Sequence, residues 1–238
     1  MNVIIPMAGD GIRFTDAGYT VPKPLIPVFG VPMIQAVVEN LNIPCRFIFI
    51  IRKGHSADGE LKQFLLDLTP NSIVIEIDEL TEGSACTALL AEQYIDETPL
   101  IITNCDQIIR DFDIRNLIEF SKINNADGVL GAYLSSSNKN SYMRLDENGV
   151  VTELKEKIVI SNIATNGLHF WKCGKDFVSS ANEMIQNNER YNNEFYVAPT
   201  YNYLIKAGKR VLPYFYNLHF PIGIPDDLNK YIDLYGNS

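Results

Sequence analysis

Short runs of β-branched and other apolar residues alternate with segments of helical spacing over residues 1–125 of this chain. Each run has the length and composition of a buried strand. The predicted strands are 3–5, 47–51, 73–77 and 100–103, and the predicted helices between them are 32–41, 60–68 and 84–94. Strands that alternate with helices predict a parallel sheet with helices on both faces and right-handed crossovers.

The second half of the chain adds strands of a different kind. The further predicted strands are 128–134, 142–145, 150–155 and 210–215, and the further predicted helices are 174–188, 194–207 and 226–234. Asn148-Gly149 closes the turn between the second and third of these strands and predicts an antiparallel hairpin. No linker or repeat interrupts the pattern. We therefore predict one domain, residues 1–238, with a mixed, mostly parallel sheet and a small antiparallel extension.

Composition and charge exclude several classes of protein. The chain has 238 residues, and its 29 Asp plus Glu against 20 Lys plus Arg give a net charge of −9. Nucleic acids and anionic membranes are bound by basic surfaces, so neither partner is predicted. No apolar run approaches the roughly 18 residues of a membrane span, and the N-terminus lacks a basic leader, so we predict a soluble, cytoplasmic protein. Four cysteines without a Cys-x-x-Cys pair predict reduced thiols.

A glycine-rich turn follows the first predicted strand. Gly9 and Gly11 would let the backbone approach an anion closely, and Arg13 adds a planar fork suited to phosphate oxygens. Phe14 stands where a dinucleotide fingerprint has its third glycine, and no Gly-x-x-x-x-Gly-Lys-Ser/Thr segment occurs. The turn therefore disfavours nicotinamide-dependent oxidoreductases and P-loop ATPases, and it favours another phosphate-binding class.

The segments 5–14 (IPMAGDGIRF) and 19–26 (YTVPKPLI) resemble the A-G-x-G-x-R and P-K-P-L signature of the nucleotidyltransferase family. The family includes sugar-phosphate nucleotidyltransferases and cytidylyltransferases. Five further segments resemble family motifs in the same order and are 81–90, 104–107, 156–157, 166–168 and 223–228. The resemblance covers nearly the whole chain and implies a Rossmann-like α/β fold.

The resemblance implies that residues 1–125 bind the nucleotide. Arg13 would grip the β- and γ-phosphates, and Lys23 would lie at the α-phosphate, where negative charge builds during attack. The other residues that the resemblance places at the nucleotide are Ala8, Gly9, Asp10, Gly11, Asp78 and Gly83.

Asp78 bears on the choice of base. It lies five residues before Gly83, where related uridylyl- and thymidylyltransferases carry a base-reading glutamine. A carboxylate only accepts hydrogen bonds, so it favours the amino group of cytosine over the O4 oxygen of uracil or thymine. This interpretation favours CTP. A solvated carboxylate before a helix is the competing explanation.

Asp106 matches the family's metal-binding aspartate and would hold Mg²⁺, which takes carboxylate and phosphate oxygens. The second metal ligand of many relatives is missing, because Pro221-Ile222-Gly223-Ile224 stands in place of the family's D-x-G-T segment. Three carboxylates or the triphosphate itself could supply the missing oxygens, and the carboxylates are Asp226, Asp227 and Glu194.

The resemblance assigns residues 126–238 to a small phosphorylated acceptor. Glu156 would contact its hydroxyl groups, Lys157 its phosphate, and Asn166 and Glu194 its body. The chain lacks the C-terminal extension of many hexose-phosphate enzymes, which makes an unusual acceptor plausible. Small relatives with similar segments supply capsule or surface polysaccharide, and the acceptors to test are phosphoglutamine, phosphocholine and sugar 1-phosphates.

Two groups of ring residues are interpreted as structural. The histidines show no metal spacing, and the reaction needs no histidine base because an attacking phosphate oxygen is already ionised; they are His55, His169 and His219. The aromatic-rich stretch near residue 195 is more typical of a core than of a binding platform; its rings are Tyr191, Phe195, Tyr196, Tyr201 and Tyr203.

The predicted function is therefore transfer of a nucleoside monophosphate from a nucleoside triphosphate, with release of pyrophosphate. A hexose-1-phosphate uridylyl- or thymidylyltransferase is the alternative within the family. An inactive nucleotide-binding regulator is the alternative from another class; Pro221 at the metal position favours it, whereas Arg13 and Lys23 argue against it. The sequence leaves homo-oligomer formation open.

Overall fold

A computed structural model describes residues 1–55, 59–216 and 218–236. Its strands are β1 (Asn2–Pro6), β2 (Pro27–Val28), β3 (Val31–Pro32), β4 (Arg46–Arg52), β5 (Ile73–Ile77), β6 (Leu100–Ile102), β7 (Gln107–Arg110), β8 (Gly128–Leu134), β9 (Ser141–Leu145), β10 (Val151–Glu156), β11 (Ile163–Trp171), β12 (Val211–Phe215) and β13 (Leu218–Pro221). Its helices are α1 (Ile12–Asp16), α2 (Met33–Leu41), α3 (Glu60–Leu68), α4 (Ser84–Leu89), α5 (Ile114–Ile123), α6 (Gly174–Gln186), α7 (Thr200–Lys206) and α8 (Pro225–Tyr235).

One large sheet, nine-stranded within the described residues, forms the centre of the molecule. Strands β5, β4, β1 and β6 are neighbours in that order and run parallel. Strand β11 pairs antiparallel with β6, β8 and β9, while β12 runs parallel to β8. The hairpin β9–β10 extends one edge. Because only β10 and β11 run against the other seven strands, the prediction of a mixed, mostly parallel sheet is confirmed.

Helices cover both faces of this sheet because its inner strands carry buried apolar side chains that point to both faces. Along β1, Ile4 points into a core formed with α4, α6 and α7, whereas Val3 and Ile5 point into a second core formed with α2, α3 and α5. Burying an aliphatic side chain of this size contributes about 1.5–3 kcal/mol. A third cluster lies beneath α1, between α2 and α8.

The predicted hairpin turn is confirmed. Gly149 has a φ of 75°, and its N–H donates to the carbonyl oxygen of Asp146 at 3.1 Å. The N–H of Asp146 in turn donates to the carbonyl oxygen of Val150 at 2.9 Å, which sets the register of β9 against β10.

Two of the sequence-based helix predictions are wrong or incomplete, and some elements were not predicted. The helix predicted over 194–207 begins only at Thr200, because the backbone of Glu194 pairs with Tyr191 and the backbone of Phe195 hydrogen-bonds to residues 82 and 85. The helix predicted over 84–94 ends at Leu89 and is followed by a 3₁₀ turn. Helix α5 and the small sheet of β7 and β13 were not predicted.

Residues from both halves of the chain build the central sheet, since β11 pairs with β6. The assignment of 1–125 to the nucleotide and of 126–238 to the acceptor stays a prediction. Within residues 1–55, 59–216 and 218–236, no helix combines the length and the apolar character that a membrane crossing requires.

Candidate active site

Two adjoining cavities lie beyond the carboxyl ends of β1 and β6, where ligands bind in parallel α/β sheets. The glycine-turn cavity has a volume of about 450 Å³ and is walled by residues 8–13 and by the segment from Leu80 to Thr87. The Asp106 cavity has a volume of about 440 Å³ and extends over Glu156 and the middle of β11. Both cavities are lined by Pro6, Gly9, Gly11, Lys23 and Ser84.

Nearly all predicted site residues line one of these cavities. The glycine-turn cavity is lined by Ala8, Gly9, Asp10, Gly11, Arg13, Lys23, Gly83 and Glu194. The Asp106 cavity is lined by Gly9, Gly11, Lys23, Asp106, Glu156, Lys157 and Asn166. Asp78 lines neither cavity.

The glycine turn is held in place from two directions. Gly11 has a φ of 64°, and a Cβ atom there would lie 3.1 Å from Lys23 Cβ, so glycine suits both the backbone and the close approach. Asp10 forms an ion pair with Arg52 at the end of β4. The buried His55 ring hydrogen-bonds to the backbone of Gly9, while burial lowers the pKa of His55. Neither Arg52 nor His55 was predicted to support the turn.

Lys23 and Asp106 form an ion pair at the junction of the two cavities. Lys23 lies on a 3₁₀ turn between Pro22 and Pro24, which restrict its backbone. Burial alone would lower the pKa of Lys23, but Asp106 outweighs it and the pKa is raised. The ammonium group therefore stays charged at neutral pH, beside both cavities.

Gly223 makes room for this ion pair. A Cβ atom at Gly223 would overlap the Asp106 carboxylate and lie 3.5 Å from Lys23 Nζ. The neighbouring N–H of Ile222 donates to the carbonyl oxygen of Asp106 at 2.8 Å. The segment departs from the family's D-x-G-T pattern at Pro221, but the glycine of that pattern is present as Gly223. It packs against the Lys23–Asp106 ion pair.

Asp106 is suited to Mg²⁺ as a single carboxylate ligand. No group of three or more His, Cys, Asp or Glu side chains able to hold a metal occurs in the part of the chain that the structure describes. Mg²⁺ commonly uses one or two carboxylates together with substrate phosphates and water, so Asp106 fits this role. Among the carboxylates considered as a second ligand, Glu194 lines the glycine-turn cavity, whereas Asp226 and Asp227 line neither cavity.

Glu156 is a buried carboxylate in the wall of the Asp106 cavity. It is 7% exposed and accepts a hydrogen bond from the hydroxyl of Ser141. Burial raises the pKa of Glu156, although Ser141 and Lys157 oppose the shift. Its ionised form is therefore retained at a cost to stability.

We expect Glu156→Gln to raise Tm at pH 8, because glutamine accepts the Ser141 hydrogen bond without burying a charge. The folded-state pKa lies above the unfolded one, so the loss of stability begins near the ordinary glutamate pKa of about 4.3 and is complete once the pH exceeds the raised pKa of the folded state. A gain of about 2–4 °C would correspond to roughly 1 kcal/mol in a chain of this size. Thermal unfolding from pH 5 to pH 8 measures the effect, which should shrink toward pH 5.

The matched control is Glu153→Gln, at a more exposed carboxylate paired with Arg144 at 2.6 Å. It should not raise Tm. A Glu156→Gln gain that is absent, or that does not depend on pH, would contradict the proposed cost of ionisation.

The remaining acceptor-side predictions lie on three different elements. Lys157 follows β10, and its Nζ donates to the Tyr196 hydroxyl at 2.6 Å. Asn166 lies at an irregularity in the pairing of β11, and its Oδ1 accepts from the N–H of Leu168 at 3.1 Å. Glu194 lies in the loop before α7 and faces the glycine-turn cavity rather than the Asp106 cavity.

Two histidines that the sequence analysis treated as structural also line the Asp106 cavity. His219 Nε2 lies 3.1 Å from Gln107 Oε1, and burial lowers the pKa of His219 to about 4. Burial lowers the pKa of His169 to about 3. Both rings are neutral at physiological pH, and they give this wall a polar, uncharged character that no spacing in the sequence indicated.

Asp78 is placed differently from the sequence-based expectation. It follows β5, its side chain is 74% exposed, and it pairs with Lys53 Nζ at 2.8 Å. The cavity wall begins two residues later, at Leu80, and continues through Thr81. Asp78 is a solvated carboxylate in this structure, and its contact with a nucleobase stays a prediction.

A family model for nucleotidyl transferases matches residues 2–216. The chain belongs to the nucleotidyl transferase family. The bifunctional protein GlmU of Methanocaldococcus jannaschii is 30% identical over 159 residues, which cover 66% of this chain and 36% of that protein. The mannose-1-phosphate guanyltransferase of Pichia angusta is 30% identical over 137 residues, covering 56% of this chain and 37% of that protein. The chain thus spans less than two fifths of the length of either relative.

Solved structures of this nucleotidyl transferase fold match almost end to end. A nucleoside-diphosphate-sugar pyrophosphorylase from Vibrio cholerae has a TM-score of 0.83 at 23% identity, covering 97% of this chain and 99% of that one. The inositol-1-phosphate CTP transferase of T. maritima has a TM-score of 0.76 at 18% identity, covering 97% and 92%. These likenesses confirm the predicted Rossmann-like fold.

Proposed function

We propose that this protein transfers a nucleoside monophosphate from a nucleoside triphosphate to a small phosphorylated acceptor and releases pyrophosphate. The Lys23–Asp106 ion pair between two cavities is the observation that carries the proposal. Arg13 and the glycine turn suit the triphosphate on one side, while Lys157 and Glu156 suit the acceptor on the other. Family membership supports the same reaction class.

The arrangement of the cavities suits an in-line displacement. In such a reaction the attacking oxygen and the leaving oxygen lie on opposite sides of the phosphorus. An acceptor phosphate in the Asp106 cavity would attack the α-phosphorus beside Lys23, and pyrophosphate would leave toward Arg13. The P–O bond to the acceptor forms as the bond to pyrophosphate breaks, and no histidine base is needed because the attacking oxygen is already ionised.

Positive charge at the junction lowers the barrier. The Lys23 ammonium would hold the α-phosphate oxygens as negative charge builds on them, which is a pre-positioned electrostatic contribution. Asp106 would hold Mg²⁺ beside Lys23, and a bound cation would supply further positive charge to stabilise the phosphates.

We propose CTP as the nucleotide, on the chemistry of Asp78. Its ion pair with Lys53 is exposed, and exposed pairs contribute little, so a base could take the carboxylate at small cost. Cytosine N4 would donate to it, whereas the O4 atom of uracil or thymine would be repelled. Uridylyl or thymidylyl transfer is the alternative outcome of the same test.

Asp78→Asn is expected to reduce the preference for CTP over UTP by about tenfold in kcat/KM, because a hydrogen bond to a charged group is replaced by one to an amide that also donates. Pyrophosphate release with the two nucleotides measures the ratio. Asp67→Asn, at an exposed helix position that accepts from Gln63 at 2.8 Å, is the control and should leave the ratio unchanged. An unchanged ratio in Asp78→Asn would remove the argument for CTP.

The acceptor classes that we propose are phosphoglutamine-like molecules, phosphocholine-like molecules and sugar 1-phosphates. Each presents a phosphate to Lys157, and each product would be an activated building block for capsule or surface polysaccharide. Since nucleoside triphosphates are cytoplasmic substrates, we propose a cytoplasmic location for the enzyme.

The decisive experiment is a magnesium-dependent pyrophosphate-release screen of CTP, UTP, dTTP, GTP and ATP against each acceptor class. Turnover with any pair would support the reaction class, and the productive pair would name the substrates. Nucleotide binding without turnover across the whole screen would instead support a regulator that has lost catalysis.

A further inference from the structure

A short turn joins the two cavities, and we call it the tyrosine turn, residues 191–196. The N–H groups and carbonyl oxygens of Tyr191 and Glu194 bond to each other at 3.0 Å in both directions. The positive φ values of Asn192 and Asn193 match the tight turns of hairpins. The sequence analysis assigned the aromatic residues here to the core and predicted helix from residue 194.

The tyrosine turn is anchored to the wall of the glycine-turn cavity by its backbone. The N–H of Phe195 donates to the carbonyl oxygen of Glu82 at 2.7 Å, and the N–H of Ala85 donates to the carbonyl oxygen of Phe195 at 2.9 Å. Gly83 lies so close to Phe195 that a Cβ atom would overlap its backbone. The residues that follow Phe195 are therefore held at a fixed distance from the nucleotide side.

Tyr196, which follows the anchored Phe195, contacts the Lys157 side chain. Lys157 has a φ of 53°, a conformation that side chains other than Gly, Asn and Asp rarely adopt. Its Nζ donates to the Tyr196 hydroxyl at 2.6 Å and lies 4.3 Å from the centre of the Tyr196 ring and 5.5 Å from that of Tyr191. The Glu156 carboxylate is 3.9 Å away.

The Tyr196 hydroxyl is itself held by a second partner. It hydrogen-bonds to the Glu194 side chain. Burial is the larger cause of the raised pKa of Tyr196, and this hydrogen bond is the second cause. Tyr196 thus accepts from Lys157 and donates to Glu194. An ammonium group has three N–H donors, so Lys157 keeps donors for an anion in the Asp106 cavity after one is used by Tyr196.

Tyr196 and Glu194 each line two of three neighbouring cavities. Tyr196 lines the Asp106 cavity and also a third cavity of about 410 Å³, while Glu194 lines the third cavity and the glycine-turn cavity. The chain Lys157–Tyr196–Glu194 therefore reaches from the acceptor side to the nucleotide side.

We propose that Tyr196 is a positioning residue for the acceptor: its hydroxyl and ring, fixed by the tyrosine turn, hold the Lys157 ammonium where the acceptor phosphate binds. This inference rests on the proposed function, because it concerns the acceptor of that reaction. Tyr196 acts through Lys157, and it governs acceptor affinity rather than nucleotide affinity.

Tyr196→Phe removes the hydroxyl and keeps the ring. We expect the acceptor KM to rise about tenfold, the size expected for a lost hydrogen bond to a charged group, while the nucleotide KM stays within about twofold. Tyr196→Leu also removes the ring and should raise the acceptor KM further. The control is Tyr203→Phe, whose hydroxyl accepts from Asn187 at 3.2 Å and lines none of the three cavities.

A second measurement does not depend on turnover. The rate at which a succinimidyl ester acylates Lys157, followed by peptide mass spectrometry, should rise several-fold in Tyr196→Phe and stay unchanged in Tyr203→Phe, since the hydroxyl no longer holds the ammonium. If the wild type shows no turnover, the proposed function fails while this rate still tests the contact.

Two results would overturn the inference. One is an unchanged acceptor KM together with an unchanged labelling rate. The other is an equal rise of acceptor and nucleotide KM accompanied by a lower Tm, because that pattern would identify Tyr196 as a residue that only supports the fold.

Discussion

Lys23→Ala is expected to lower kcat for nucleotidyl transfer by about 10²–10³-fold, the loss seen when a charge-stabilising donor is removed from a transition state. The substitution removes the cation placed between the two cavities and leaves Asp106 without its partner. The KM of the nucleotide should change much less, because Arg13 and the glycine turn remain. Pyrophosphate release at saturating substrates measures kcat, and nucleotide titration measures binding separately.

The matched control for Lys23→Ala is Lys122→Ala. Lys122 is 70% exposed on α5 and pairs only loosely with Glu119, at 3.9 Å. It should retain wild-type kcat. A Lys23→Ala enzyme within about threefold of wild type would show that transition-state charge is stabilised elsewhere, since a tenfold change corresponds to only 1.36 kcal/mol of barrier.

Gly83→Ala is expected to destabilise the fold and to weaken nucleotide binding together. Gly83 has a φ of 126°, and a Cβ atom would lie 2.6 Å from Phe195 N and overlap the Phe195 carbonyl oxygen. This backbone conformation, which is essentially restricted to glycine, costs other residues about 1–3 kcal/mol, and forced close contacts cost about 1–3 kcal/mol more. Tm should therefore fall by about 4–24 °C.

Gly208→Ala separates these two contributions. Gly208 also has a positive φ, 77°, but nothing lies within 4 Å of a Cβ atom there. Gly208→Ala should lose only the stability that the unfavourable backbone conformation costs. The expected Tm decrease is about 2–8 °C, and nucleotide binding should stay intact. Equal losses in the two variants would mean that the close approach to Phe195 is relieved by local movement, and the anchorage of the tyrosine turn would then be weaker than its contacts indicate.

The residues of the glycine-turn cavity were largely predictable because their signals are local. Gly11 and Arg13 follow a strand whose β-branched residues identify it without help from the rest of the chain. Lys23 stands between two prolines, which restrict its backbone and flank it on a 3₁₀ turn. Such patterns depend on backbone preferences within a few residues, and the structure places all three in the walls of the cavities.

The Asp106 cavity was less predictable because its contacts join distant parts of the chain. Tyr196 looks like any core aromatic until it meets Lys157, which is 39 residues away. His219 meets Gln107 across 112 residues through the small sheet of β7 and β13. Asp78 lies at the surface, pairs there with Lys53 and lines neither cavity.

The amino-acid sequence by itself determined the alternation of strands and helices, the glycine turn and the set of charged side chains available to phosphates, because each depends on neighbouring residues and on side-chain chemistry. Only the tertiary structure decided which of these side chains meet. Lys23 and Asp106 are 83 residues apart, and their pairing exists because parallel strands deliver their carboxyl ends to one edge of the sheet.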